Sequence, residues 1–156
     1  MQMVTVAIAD TDPGRREKLE QSLQGEQDIK VLTNVMSEIS NECRLKPADI
    51  TEIEGVIARI GRIKPRILFV NLNESTRGDA LLGALHREHP ETLVVLLTDK
   101  SAKEEEIMQA FANGARGCLD HEVAPSYFLK AVRVVDRGEI WVTRKMLGKI
   151  MDKVLH

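Results

Sequence analysis

Three polar residues, each closely following or ending a short apolar run, are the residues best placed for chemistry: Asp10, Asn71 and Thr98. Apolar runs of this length without alternation predict strands that are buried on both faces. In open α/β sheets, ligands bind at the carboxyl ends of such strands. An acid at the centre of the group could accept a phosphoryl group, whereas the amide of Asn71 is a poor nucleophile. Asn71 therefore decides whether this edge of the sheet could carry out such a reaction.

The elements that must position these residues alternate between strand and helix patterns, which predicts βα units and a parallel sheet. The predicted strands are 4–9, 29–35, 66–72, 92–98 and 117–119. Helices are predicted after Asp12-Pro13, over 50–60, from Gly78, over 102–112, from Pro125 and after Thr143. The fold class is therefore α/β, a doubly wound five-stranded parallel sheet with an extra C-terminal helix. Residues 37–49 have no clean period and are predicted to form an insert.

Composition narrows the class of protein. The 156 residues carry a net charge of −2, so no general affinity for nucleic acid is expected. Aromatic residues make up only 3%, which predicts an aliphatic core. Cys43 and Cys118 are too few for a disulfide framework or a zinc site. Acids interrupt the early apolar stretch, and no run is long enough to span a membrane. We therefore expect a cytoplasmic protein that does not bind membranes, with one domain over 1–142 and a separate helix over 143–156.

Several stretches carry a resemblance to a known family: VAIADTDPGRREKL, PRILFVNLN, LVVLLTD, ANGARGCLDHEVAPSYFLKAV and RGEIWVTRKML. The chain resembles the receiver domain of bacterial two-component response regulators, in the NarL/FixJ (LuxR-type) branch. The resemblance covers nearly the whole chain and is weak between Ser37 and Thr51. It implies a flavodoxin-like receiver fold with strand order 2-1-3-4-5 and a role in transcriptional regulation.

The resemblance also implies a role for each residue of the pocket. In the family, two acids after the first strand help bind Mg²⁺, an aspartate after the third strand accepts a phosphoryl group, and a hydroxyl and a lysine contact that group. The corresponding residues here are Asp10 and Thr11 for the two acids, with Asp12 next, then Asn71, Thr98 and His121. Cys118 stands where the family has an aromatic residue.

These substitutions predict a pseudo-receiver, that is, a receiver with a degenerate phosphorylation site and no enzyme activity. Asn71 lacks the carboxylate that an acyl phosphate requires. Only Asp10 and Asp12 remain as weak candidate ligands for Mg²⁺, so no cofactor is expected. His121, mostly neutral near pH 7, is a poor replacement for a lysine. Asp12 is also a good helix N-cap, and Asn71 could simply be a buried amide bonded to Asp10 or Thr98.

The last predicted helix carries one apolar stripe: Met146, Leu147, Ile150, Met151, Val154 and Leu155. The stripe either packs on the domain's own core or binds a partner. In the resembling branch this position begins the linker to a DNA-binding domain. We expect a homodimer; the sequence identifies neither a partner protein nor a histidine kinase.

Other functions are less well supported by the sequence. A non-standard acid, among Asp10, Asp12 and Asp99, could be phosphorylated instead, or the chain could be the regulatory fragment of a DNA-binding transcription factor. A small-molecule binder is disfavoured because the turn after the first strand is acidic and lacks a Gly-rich phosphate cradle. Direct DNA binding is also disfavoured, because acids dilute the one small basic group: Arg59, Arg62, Lys64 and Arg66.

Overall fold

The computed structural model describes residues 3–10, 12–32, 50–72, 78–99 and 103–155. Its strands are β1 Val4–Ala9, β2 Ile29–Leu32, β3 Ile67–Leu72, β4 Leu93–Thr98 and β5 Gly117–Asp120. Its helices are α1 Pro13–Leu23, α2 Ile50–Ile63, α3 Gly78–Glu88, α4 Glu104–Ala112, α5 Pro125–Asp136 and α6 Arg144–Leu155. The strands form one sheet in the order β2-β1-β3-β4-β5, and every pair is parallel.

This architecture confirms the predicted fold class and strand order. The strands begin or end within one residue of the predicted bounds, apart from β2, whose predicted residues 33–35 lie outside the described residues. The predicted insert over 37–49 also lies outside them, and so do Thr11 and Cys43. Nothing in the described part of the chain tests the division into a domain over 1–142 and a separate helix.

The central strands are buried on both faces because the helices cover both sides of the sheet. Alternate residues of β3 belong to two different cores, as the pleat of a strand requires. Leu68 and Val70 pack into a layer with α2, α3 and α4. Ile67 and Phe69 pack into a second layer with α1 and α5. Both layers are mainly aliphatic, as the composition predicts.

Two helix boundaries follow the predicted signals. Asp12 caps α1, since its Oδ1 atom accepts a hydrogen bond from the amide of Gly14 at 3.0 Å, and Pro13 occupies the first turn. α4 ends at Asn113-Gly114, where Gly114 has a φ of +100°. A Cβ atom there would also lie 2.8 Å from Nδ1 of His86, so the position favours glycine on both counts.

The chain returns to the sheet after α5 and then forms the last helix. Trp141 makes a parallel bridge to Gly117 at the free edge of β5. Thr143 caps α6 as predicted, because its Oγ1 atom accepts a hydrogen bond from the amide of Met146 at 3.1 Å. Met146 packs against the layer of α2, α3 and α4, and Lys149 forms an ion pair with Glu104 of α4. Among the described helices, none is long and apolar enough to cross a membrane.

Candidate functional site

The sheet places the three polar strand-end residues at one edge. β1 and β3 are neighbours in which Ala9 pairs with Val70, so Asp10 and Asn71 both stand one residue further along. β3 and β4 are also neighbours, and Thr98 ends β4. Asp10 is 2% exposed, Asn71 is 4% exposed and Thr98 is also buried. Such buried polar groups need partners, and the identity of those partners determines what the site can do.

Asn71 is held by His121, which lies in the loop between β5 and α5. The Oδ1 atom of Asn71 lies 2.7 Å from Nε2 of His121. The backbone amide of His121 bonds in turn to the carbonyl of Thr98 at 3.0 Å. Burial, and then the positive charge of Arg15, lower the pKa of His121. A neutral imidazole near pH 7 therefore donates its Nε2–H to the amide oxygen.

Asp10 is held by Arg15 of α1, a residue that the sequence pattern does not single out. The Nε atom of Arg15 lies 2.7 Å from Oδ2 of Asp10, and its Nη2 atom lies 2.9 Å from Oδ1. This is a bidentate guanidinium–carboxylate pair, the strongest kind of charge-assisted contact. The Nη1 atom of Arg15 also lies 3.1 Å from Oδ2 of Asp12. The hydrogen bond to Asp10 is the main reason that the pKa of Arg15 is raised.

The position of Arg15 in the sequence is the feature that could have identified it as a residue of the pocket. It lies five residues after Asp10 and three after the helix cap Asp12, in the first turn of a helix that starts at the same edge. Residues in that turn are within reach of the strand end. In the resembling family, the residues with an assigned role in the pocket do not include the one at the position of Arg15.

A second cation from α1 holds the loop that carries His121. The Nζ atom of Lys18 donates to the carbonyl oxygen of His121 at 2.6 Å and to that of Val123 at 3.3 Å. Lys18 therefore stabilises the position of the loop, and indirectly the position of the imidazole against Asn71. α1 thus contributes two positive groups to the pocket.

Thr98 and Cys118 complete the described part of the pocket. The hydroxyl of Thr98 donates to the carbonyl of Leu119 at 3.4 Å and lies 3.9 Å from Sγ of Cys118. Burial raises the pKa of Cys118 to about 11, so the thiol stays protonated near neutral pH. Asp99, which acts electrostatically on Arg15 and His121, adds a negative charge nearby.

In the described part of the pocket, the carboxylate oxygens that a Mg²⁺ ion would need are in contact with Arg15. Both oxygens of Asp10 are bound by Arg15, and a guanidinium repels a divalent cation. Magnesium also favours carboxylate ligands over the amide of Asn71. Across the ranges that the structure covers, no group of three or more His, Cys, Asp and Glu side chains could hold a metal ion.

The predicted apolar stripe on α6 is divided between the core and the surface. Met146 packs against the core and Ile150 is half-buried. Leu147, Met151 and Leu155 are 45%, 49% and 72% exposed. The side chain of Val154 lies outside the described residues. Part of the stripe therefore packs on the domain's own core, and part of it is exposed.

No family model matches the chain, and no curated protein matches it. Solved structures do. A two-component response regulator of the LuxR family from Aurantimonas sp. SI85-9A1 matches with a TM-score of 0.72 and 12% identity, over 99% of this chain and 100% of that one. The isolated receiver domain of RcsB from Salmonella enterica serovar Typhimurium matches with a TM-score of 0.68 and 16% identity, over 96% and 98%.

A third structure is the signal receiver domain of the response regulator NarL from Mycobacterium tuberculosis. It matches with a TM-score of 0.67 and 17% identity, over 89% of this chain and 100% of that one. Identities this low show likeness of the fold and not of the site. The chain has the fold of the receiver domains of LuxR- and NarL-family response regulators.

Proposed function

We propose that this chain is a pseudo-receiver, a signalling module of transcriptional regulation that is not phosphorylated at residue 71. The observation that carries the proposal is the contact of 2.7 Å between Oδ1 of Asn71 and Nε2 of His121. An amide stands where a receiver needs a nucleophilic carboxylate, and its oxygen accepts a hydrogen bond from a neutral imidazole. The position therefore serves to hold β3 to the loop after β5.

The other residues of the pocket also argue against phosphorylation. Phosphoryl transfer to a receiver requires a carboxylate nucleophile together with cations that neutralise the developing charge. Here the buried carboxylate of Asp10 is already paired with Arg15. His121 carries no charge near neutral pH. We therefore propose that the chain has no enzyme activity and no cofactor.

We further propose that the module acts through binding to other proteins, and that it forms a homodimer. The exposed part of the α6 stripe, formed by Leu147, Met151 and Leu155, supports this because large apolar side chains recur there every four residues. Flexible Met and Leu side chains suit a binding surface. The named structural neighbours are response regulators, which agrees with a role in signalling in the cytoplasm.

The test uses Mg²⁺ with acetyl phosphate or beryllofluoride on the wild-type chain and on N71D. We expect no shift of the backbone amide signals around residue 71 and no added phosphoryl mass in either protein. N71D regains the carboxylate. It should nevertheless stay inert, because Arg15 remains paired with Asp10 and His121 remains in place of a lysine. The triple variant N71D/R15A/H121K is the matched positive control.

Two results would contradict the proposal in different ways. A phosphoryl group added to the wild-type chain would show that another acid accepts it, and mapping of the modified peptide would identify that acid. Magnesium-dependent phosphorylation of N71D alone would show that Asn71 is a single substitution in an otherwise competent pocket.

A further inference from the structure

Arg15 occupies the centre of the acidic part of the pocket. Its three guanidinium nitrogens each contact a carboxylate oxygen, two on Asp10 and one on Asp12, at 2.7–3.1 Å. The side chain of Asp10 is almost fully buried, whereas that of Arg15 is about one-third exposed. The cation therefore covers the buried acid from the solvent side, where an ion would enter.

The pocket needs a positive charge at this point. A buried carboxylate without a compensating charge is strongly destabilising. Asp12 lies beside Asp10, since the amide of Asp12 donates to Oδ1 of Asp10 at 3.0 Å. Asp99 adds to the same negative field at Arg15. A bound cation or a basic side chain can balance these acids in their ionised form.

The start of α1 fixes the guanidinium in place. Asp12 caps the helix through Gly14, and Pro13 sets the backbone of the first turn. Arg15 follows within that turn, and its side chain reaches the carboxylate of Asp10 at the strand end. A planar fork of donors matches the two oxygens of a carboxylate in a way that a lysine ammonium does not.

We propose that Arg15 is a built-in cation that takes the place of a divalent metal ion at Asp10 and Asp12. The pocket is then assembled at any Mg²⁺ concentration, and removal of the guanidinium turns the two acids into a site for a divalent cation. This inference goes beyond the proposed function because it concerns the cation that the fold requires, not phosphorylation. No phosphoryl donor enters its test.

The experiment compares the wild-type chain, R15A and R15Q by titration with Mn²⁺ and with Mg²⁺. Mn²⁺ binding is read from paramagnetic broadening of the backbone amide signals, and Mg²⁺ binding from the shift in the thermal unfolding midpoint. The wild-type chain should show neither effect at millimolar metal. Both variants should unfold at a lower temperature without metal, recover part of the loss with Mg²⁺, and bind Mn²⁺ at least about tenfold more tightly than wild type.

The controls separate the effect of metal at this site from the general effect of removing an arginine. Arg133 is the matched case, because it is also about one-third exposed and pairs with two acids, Asp28 and Glu26, far from the pocket. R133A should be destabilised but should not be rescued by Mg²⁺. R15A/D10N should lose the metal response because the buried ligand is gone.

Three outcomes would overturn the proposal. The first is Mn²⁺ broadening around Asp10 and Gly14 in the wild-type chain, which would show that Arg15 does not exclude the ion. The second is the absence of metal binding in both R15A and R15Q while they remain folded. The third outcome applies if R15A does not fold, so that only R15Q, which keeps the length of the side chain, can be tested. The proposal is then overturned if R15Q shows neither Mn²⁺ binding nor Mg²⁺ rescue. The phosphodonor test could still succeed or fail independently.

Discussion

At the scale of the residue, the described pocket is organised by two side-chain pairs, one uncharged and one an ion pair. Asn71 is paired with His121, and Asp10 is paired with Arg15. The sequence identified three of these four residues and predicted that an amide at 71 would prevent phosphorylation. It suggested Asp10 or Thr98 as the partner of Asn71 and did not anticipate His121. The pairs depend on contacts between residues 5 and 50 positions apart, which spacing alone does not reveal.

The pairing of His121 predicts a dependence of stability on pH. Because the pKa of His121 is lowered by folding, the unfolded chain binds a proton at this site at a higher pH than the folded chain does. Its contribution to stability is therefore fully present above the ordinary histidine value of about 6.5 and is lost as the pH falls below it. The free energy of unfolding of the wild-type chain should decrease between about pH 7 and pH 5.

The variant H121Q isolates this effect, since Gln can still donate to Asn71 but does not titrate. Chemical denaturation across the pH range should show a shallower decrease for H121Q. All other residues are the same in both proteins, so their contributions cancel in the comparison. Parallel curves for the two proteins would mean that His121 is not held in its neutral form.

At the scale of the element, α1 contributes side chains to the pocket, and α6 packs through only part of its surface. α1 begins with its own cap and then supplies Arg15 and Lys18 to the pocket, so one helix N-terminal region organises both the acid and the loop. α6 was predicted to carry a single apolar stripe. The apolar periodicity could not show which residues the core would cover, because that depends on how the helix packs on the rest of the fold.

The exposed part of α6 predicts the oligomeric state. L147E/M151E should convert a dimer into a monomer, because each Glu replaces apolar area that burial would stabilise by roughly 1.5–3 kcal/mol per side chain. Light scattering measures the mass, and far-ultraviolet circular dichroism checks the fold. R144E/K145E, with two Glu residues on exposed positions of the same helix, should remain dimeric. A wild-type chain that is monomeric at all concentrations would refute the homodimer.

At the scale of the whole molecule, the sheet and its two aliphatic layers form the stable body, and the C-terminal part is added at one edge. The segment that follows α5 is joined to the sheet through Trp141, whose amide donates to the carbonyl of Arg116 at 2.9 Å. α6 then packs only through part of its surface. The boundary predicted between 142 and 143 falls after this contact and before the helix.

Truncation at Val142 tests that boundary. Residues 1–142 should fold with the same sheet, and lose about 2 kcal/mol of stability with the packing of Met146. Truncation at Glu139 should cost more, because it also removes the strand-like contact of Trp141 with Gly117. The unfolding midpoints and the hydrogen-exchange protection of β5 measure both effects. Equal stability of the two fragments would show that the contact of Trp141 contributes nothing.

The sequence by itself determined the alternation of strands and helices, the buried strand ends and the amide at residue 71. These are local properties, because a run of apolar residues, a cap and a side-chain type can be read without knowing the neighbours. Tertiary structure decided which groups meet: Arg15 with Asp10, His121 with Asn71, and Met146 but not Leu147 with the core. Those contacts exist only after parallel strands align their ends and the helices settle against them, so they follow from the register and packing of the whole chain.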